Sequence, residues 1–316
     1  MVSCHTILAL FDALVSAMRV FTSSLFDTPL PKGHRFPGQK YGMLRRRLLS
    51  DALLRPEQIL CSPLAERVDI RRAHTAQYVD GILNGTVQSE VMRRVGFAWT
   101  PHLAERARAN IGGAVAAARL ALEVGISGQL AGGTHHAHAN FGSGFCVFND
   151  HAVTALTLLE EGIVERVAIV DLDVHQGDGN AAILGPDQRT FVLSIHGEKN
   201  FPFRKVASDL DIGLVDGAGD NDLLSAVERG LAAVAEFRPD IVLYQAGVDP
   251  LTHDRLGRLD ISFSGLMERD RMVFAFCRRL RVPICMAIGG GYAEPISLSV
   301  EAYANTYRVA KKLYGF

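Results

Sequence analysis

Residues 167–179, VAIVDLDVHQGDG, decide the fold. The run from Val167 is apolar without alternation and turns polar at its end, as expected of a parallel strand covered on both faces. Three further runs repeat the pattern: Thr190 to His196, Ile241 to Gly247 and Ile284 to Gly290. Helical patterns separate them. Thr100-Pro101 opens a helix whose core face carries Leu103, Ala107, Ile111, Val115, Ala118 and Leu122, and others cover Asp150 to Glu161, Asp222 to Phe237 and Gly265 to Leu280. This alternation predicts an α/β fold, a single doubly wound, mostly parallel sheet with helices on both faces. No repeat or low-complexity linker marks a second domain.

Polar residues gather at the carboxyl ends of these runs, the edge where open parallel sheets bind ligands. Asp171, Asp173 and His175 close the first, Ser194 and His196 the second, Gln245 to Asp249 the third, and Gly289-Gly290-Gly291-Tyr292 the fourth. If strand geometry persists, the i, i+2 spacing of Asp171, Asp173 and His175 puts them on one side. Carboxylates so close repel or share a proton unless a cation sits between them, so the trio points to a divalent metal. Helix capping explains one carboxylate of the three. Asp249 could add a ligand from a neighbouring loop, although a Val-Asp-Pro turn also occurs as a plain turn in which Asp bonds its own backbone. His135 and His136 sit among glycines that allow close approach to a ligand, with Asp171 and Asp178 available to orient their rings, which favours an acid/base pair over two core histidines. Tyr292 could donate a hydrogen bond to an oxyanion, or be an interfacial residue after a tight turn.

Composition bounds the partners. With 33 Lys+Arg against 34 Asp+Glu, no global charge excess attracts nucleic acid or an anionic membrane. The longest run without Asp, Glu, Lys or Arg, Val124 to Asn149, could span a bilayer by length but contains three histidines and six glycines, so no membrane helix is expected. Five scattered cysteines without a C-x-x-C pair suggest neither a disulfide framework nor a thiolate zinc site and fit a reducing compartment, hence a cytoplasmic location. Residues 1–17 are apolar and end in V-S-A, but Asp12 interrupts them and no Lys or Arg precedes them. They read as an N-terminal extension or a misassigned start upstream of Met18, ahead of a catalytic domain over 18–316, rather than as a secretion signal.

Taken in order, AGGTHHA, GFCVFND, VDLDVHQGDG, YQAGVDP and GGGY resemble the histone deacetylase family of zinc-dependent amidohydrolases on the arginase-deacetylase fold. With LPKGHRFPGQKY and HDRLGRLDIS the resemblance runs from about Met18 to the C-terminus, and is strongest to the class IV branch and its bacterial relatives. It implies Zn2+ held by Asp173, His175 and Asp249, with one coordination position left for water and substrate. It implies His136, paired with Asp178, as the base, and His135, paired with Asp171, as its electrostatic partner; Tyr292 would stabilise the oxyanion. A K+ ion is implied near Asp171, Asp173, His175, Ser194 and Ile195.

By the same resemblance, Phe145 and Phe201 wall a narrow channel for an aliphatic lysine side chain, with the Gly144 carbonyl near its amide. Where polyamine-selective relatives carry an acidic gatekeeper this chain has Leu256, which offers an ammonium group no counter-charge. The expected activity is removal of acyl groups, acetyl or longer, from the lysine of a protein or peptide. Deacetylation of acetylated polyamines or other small acylated amines is the alternative, and a non-catalytic acyl-lysine binding protein is a third reading. A manganese ureohydrolase is disfavoured, because it has no use for the His pair and Tyr292. Three features depart from the family: the segment HANFGSGF, Lys40 in place of Arg, and the Asp-free loop Val87 to Trp99.

Overall fold

Val167, Ala168, Ile169 and Val170 are all fully buried, so neither face of their strand meets water and the unalternating apolar run is explained. The computed structural model describes residues 18–26, 30–31 and 33–316, and the N-terminal extension expected over 1–17 lies outside them. The strands are β1 (Val20–Thr22), β2 (Ile59–Cys61), β3 (Ile126–Gln129), β4 (Val167–Asp171), β5 (Thr190–Gly197), β6 (Leu210–Leu214), β7 (Ile241–Gln245) and β8 (Ile284–Ala287). They form one sheet in the order β2-β1-β3-β8-β7-β4-β5-β6, and every pairing is parallel. Helix Pro101–Val124 packs on β3, β8 and β1 and against helix Asp150–Glu160. Helix Asp220–Phe237 packs on β5 and β6 and joins Phe263–Leu280, which meets Ser297–Tyr314. The expected doubly wound α/β sheet is therefore present. Among the described residues Cys61, Cys146, Cys277 and Cys285 are free thiols, and no helix is long and apolar enough to cross a membrane.

The four central strands β3, β8, β7 and β4 are neighbours, so the segments leaving their carboxyl ends meet. The strands stop earlier than their apolar runs suggest: β4 at Asp171, β7 at Gln245 and β8 at Ala287. The cause lies in the carboxylates. Asp171 Oδ1 accepts from the Asp173 amide (3.2 Å), Asp173 Oδ1 from the His175 amide (3.1 Å) and Asp249 Oδ1 from the Val174 amide (2.9 Å). These side-chain acceptors replace ladder partners and bend the chain. Asp173 and His175 thus converge by a side-chain-supported turn, not by continued strand alternation.

A buried cation braces this turn from behind. Arg269, fully buried on helix Phe263–Leu280, donates from Nη1 to the carbonyls of Leu172 (3.2 Å) and Gly247 (2.5 Å), just ahead of the segments carrying Asp173 and Asp249. Its Nε and Nη2 donate to Asp270 Oδ1 (2.9 and 2.7 Å), and Tyr244 and Thr306 hydroxyls donate to the same carboxylate at 2.6 Å. Removing one partner of such a pair leaves an uncompensated buried charge. Arg269→Ala is expected to lower the unfolding free energy by about 3–5 kcal/mol in urea titration, and a loss below about 1 kcal/mol would contradict this bracing role.

His74 fixes the loop that follows β3. Its Nδ1 donates to the His138 carbonyl (2.9 Å) and its Nε2 accepts from the Asn149 amide (2.9 Å), so the ring is neutral. Burial pulls its pKa down to about 4. An unfolded histidine takes up its proton near pH 6.5, so the stability from keeping this ring neutral is complete above that pH and fades as pH falls toward 4. The urea midpoint should drop between pH 7 and 5, and His74→Gln, though less stable at pH 7, should show a shallower drop. Parallel pH profiles would rule His74 out as the source.

Candidate metal centre and acid/base site

Asp173, His175 and Asp249 are buried and offer ligand atoms that all lie within 4.8 Å of one another. His175 Nδ1 stands 3.0 Å from Asp173 Oδ1 and 3.0 Å from Asp249 Oδ2. Asp173 Oδ2 also accepts from the Gly290 amide (2.7 Å) and Gln245 Nε2 (3.2 Å). Gly290 is required here, because a β-carbon there would collide with the Asp249 carboxylate. The electrostatics of the trio call for positive charge. Burial, then the Asp173 carboxylate, push Asp249 up to about 7. Burial opposes ionisation of Asp173 as well, but His135 and His175 outweigh it and hold that group well below the usual carboxylate range. Burial would lower His175, yet the two carboxylates raise it to about 10. Two carboxylates and an imidazole around one point form a donor set suited to a divalent cation.

The two histidines stand beside this trio with rings 4.1 Å apart. His135 Nδ1 donates to Asp171 Oδ2 and His136 Nδ1 to Asp178 Oδ1, each at 2.7 Å, so the expected pairings are present and each ring's Nε2 is left for other work. Their proton affinities diverge. Burial, then the charge of His135, bring His136 down to about 4 despite Asp178. For His135 burial acts downward too, but Asp171 and Asp173 outweigh it and raise the ring to about 9. Two adjacent imidazoles separated in this way supply one proton acceptor and one proton donor. His138 Nε2 also reaches Asp178, at 3.0 Å. Sequence reasoning passed over it, although its spacing in HHAH was a signal.

The loop bearing the pair is held from several sides. Asp150, the first residue of helix Asp150–Glu160, accepts from the Gly133 amide (2.7 Å), the Thr134 amide (2.8 Å) and the Thr134 hydroxyl (2.9 Å). Gln245 Nε2 donates to the Gly133 carbonyl (3.1 Å), linking this loop to the trio.

A cavity of about 690 Å³ opens onto these groups. Its lining includes Gly144, Phe145, Phe201, Leu256 and Tyr292 as well as His135, His136, Asp173 and His175. Phe201 meets the His136 ring edge-on at 4.9 Å, and Phe145 lies 6.2 Å from the Tyr292 ring. Burial, then Asp249 and Asp173, raise the Tyr292 phenol well above its ordinary value, so it keeps its proton. Asp249, the third member of the trio, is not among the residues that line the cavity. Ser194 and Ile195 sit on β5, with Ser194 in register beside Asp171 of β4.

The departures noted in the sequence also find places. Lys40 is buried; its Nζ donates to the Gly289 and Gly291 carbonyls (3.3 and 3.4 Å) and to Tyr303 Oη (3.0 Å), and lies 5.1 Å from the Tyr292 ring centroid. Burial lowers it to about 8 against the pull of Asp249 and Asp173. Lys40 therefore fastens the Gly-rich turn through its backbone. The Asp-free loop contains helix Ser89–Val95, whose Val95 carbonyl accepts from the Phe145 amide (2.8 Å), so it buttresses one wall of the cavity.

Residues 17–307 match the histone deacetylase domain family. The chain is 40% identical over 290 residues to an uncharacterized protein of Picosynechococcus, covering 92% of this chain and 97% of that one. It is 31% identical over 298 residues to histone deacetylase 2 of Arabidopsis thaliana, covering 90% and 77%, and 28% identical over 297 residues to the acetoin utilization protein AcuC of Staphylococcus aureus, covering 86% and 76%. Among solved structures, an HDAC homologue from Aquifex aeolicus superposes with a TM-score of 0.78 at 23% identity, over 94% of this chain and 84% of that one, a likeness of fold. With matching motifs, sheet and family domain all extending over most of its length, this chain belongs to the histone deacetylase family.

Proposed function

We propose that this chain is a zinc-dependent amidohydrolase that removes acyl groups from lysine side chains. The observation that carries the reading is one cavity lined by Asp173 and His175 of the buried trio, by the divergent histidine pair and by Tyr292. Asp173, His175 and Asp249 are the residues that would hold zinc. When bound there, zinc supplies Lewis acidity toward an amide carbonyl and makes a water easier to deprotonate.

The remaining chemistry belongs to side chains. His136, kept neutral at physiological pH with Nδ1 tied to Asp178, presents Nε2 to take the proton of an attacking water. His135, positively charged and oriented by Asp171, stabilises negative charge and can pass a proton to the leaving amine. The Tyr292 hydroxyl donates to the developing oxyanion, a contact stronger in the transition state than in the ground state. Phe145 and Phe201 would give the aliphatic lysine stem apolar walls, and the Gly144 carbonyl would accept from the amide. Leu256 supplies no carboxylate for the second ammonium of a polyamine, which favours acyl-lysine over that alternative. Asp171, Asp173 and His175, together with Ser194 and Ile195, would hold K+, stiffening the backbone behind the reacting groups.

His136→Ala and Tyr292→Phe are each expected to lower kcat for acetyl-lysine peptides by at least about a hundredfold while leaving zinc content unchanged. Near-normal kcat in either variant would refute its assigned role. Across acetyl- to myristoyl-lysine peptides and acetylated polyamines, the peptides should be the better substrates, and faster polyamine turnover would overturn the preference drawn from Leu256.

A further inference from the structure

The charge on the cavity's lining is one-sided. Among the described residues its only lining carboxylate is Asp173, which belongs to the trio. The exposed part of the lining carries Arg35, Arg94, Lys199, Arg255 and Arg258. The chain as a whole has a net charge of −1, so this concentration of cations is local and not a reflection of composition.

These cations stand around the entrance to the reacting groups. Lys199 closely precedes Phe201, the ring that meets His136, and Arg255 adjoins Leu256 while its Nε donates to the Tyr292 carbonyl (3.2 Å). Neutralisation is partial. Arg258 meets Asp216 at 3.3 Å and Arg255 meets Glu294 at 3.5 Å, both as exposed pairs that hold little energy and leave their charge open to a ligand. The Arg94 guanidinium lies 4.3 Å from the centroid of the Phe141 ring, a contact that fixes the side chain without cancelling its charge.

We propose that this rim selects acyl-lysine embedded in an acidic stretch of protein. The inference rests on the acyl-lysine reading above and specifies its substrate. An acylated lysine has lost its own positive charge, so the residues beside it set the sign of what approaches the cavity. Carboxylates on either side of it meet Arg35, Arg94 and Lys199 while the acylated side chain passes between Phe145 and Phe201. A cleft lined by one sign of charge raises the encounter rate of the opposite sign and disfavours like charge. Lys/Arg-rich segments and polyamines are repelled by the same groups.

The test uses the zinc-loaded full chain and three peptides identical except for Glu, Gln or Lys on both sides of one acetyl-lysine. At low ionic strength kcat/KM should fall in the order Glu, Gln, Lys, with about tenfold or more between the extremes, and the spread should shrink in about 0.5 M salt. Arg35→Glu combined with Lys199→Glu, both at exposed positions, should reverse the order. Equal or faster turnover of the Lys-flanked peptide by the unaltered chain would overturn the proposal while leaving the hydrolytic reading intact. If no peptide is cleaved the hydrolytic reading fails, and fluorescence anisotropy with the same labelled peptides still decides the rim. Tighter binding of the Glu peptide sustains it, and equal or reversed binding overturns it.

Discussion

Two carboxylates, Asp173 and Asp249, are buried side by side with one imidazole between them, and much of the surrounding structure follows from that placement. In a low-dielectric interior such a pair repels unless positive charge or hydrogen-bond donors compensate it. Donors arrive from the Val174, His175 and Gly290 amides and from Gln245, which is why β4, β7 and β8 end where they do and why Gly290 has no side chain. Arg269 supplies a full charge from behind through the Leu172 and Gly247 carbonyls. Asp173 and His175 also line the cavity, where a divalent cation would complete the compensation.

The same economy of partners separates the two histidines. Each ring gives its Nδ1 proton to a carboxylate, yet His135 also feels Asp173, and His136 feels chiefly its own burial and then the charge of His135. Adjacent, similar side chains thus acquire opposite proton preferences from position alone. Their pairing depends on a loop fastened by Asp150, Gln245 and His74, so the geometry of the pair is set in part by residues that do not line the cavity.

Much of this was legible in the sequence, for physical reasons. Core strands of a parallel sheet read as apolar runs, and polar groups in the loops after them read as sudden polarity, so β4, β5, β7 and β8 stood out together with Asp173 and His175. Asp171, read with them, instead holds His135, and Asp249 was singled out by the family resemblance, its Val-Asp-Pro setting being equally that of a plain turn. β3 did not, because its ISGQ segment keeps a glycine where Met286 packs and buries Gln129 with its own partners, Asn110 and Asp150. β1 and β2 are too short to show a pattern, and β6, at the sheet edge, alternates buried and exposed residues. Arg269 and Asp270 sit in MERDRM, which reads as a solvated face. Only their spacing from Leu266 and Val273 on the buried stripe marks them as core. The basic rim draws on segments distant in sequence, and no local window contains it.

Family membership fixes the architecture, whereas the chemistry rests on the trio acting as a single metal site. The most direct measurement is anomalous X-ray diffraction at the zinc edge from crystals grown with zinc. One peak within bonding distance of Asp173, His175 and Asp249, with His136 and Tyr292 facing its open side, is the result this account predicts. A peak elsewhere with the three side chains bonded only to one another, or no peak at saturating zinc, would contradict it.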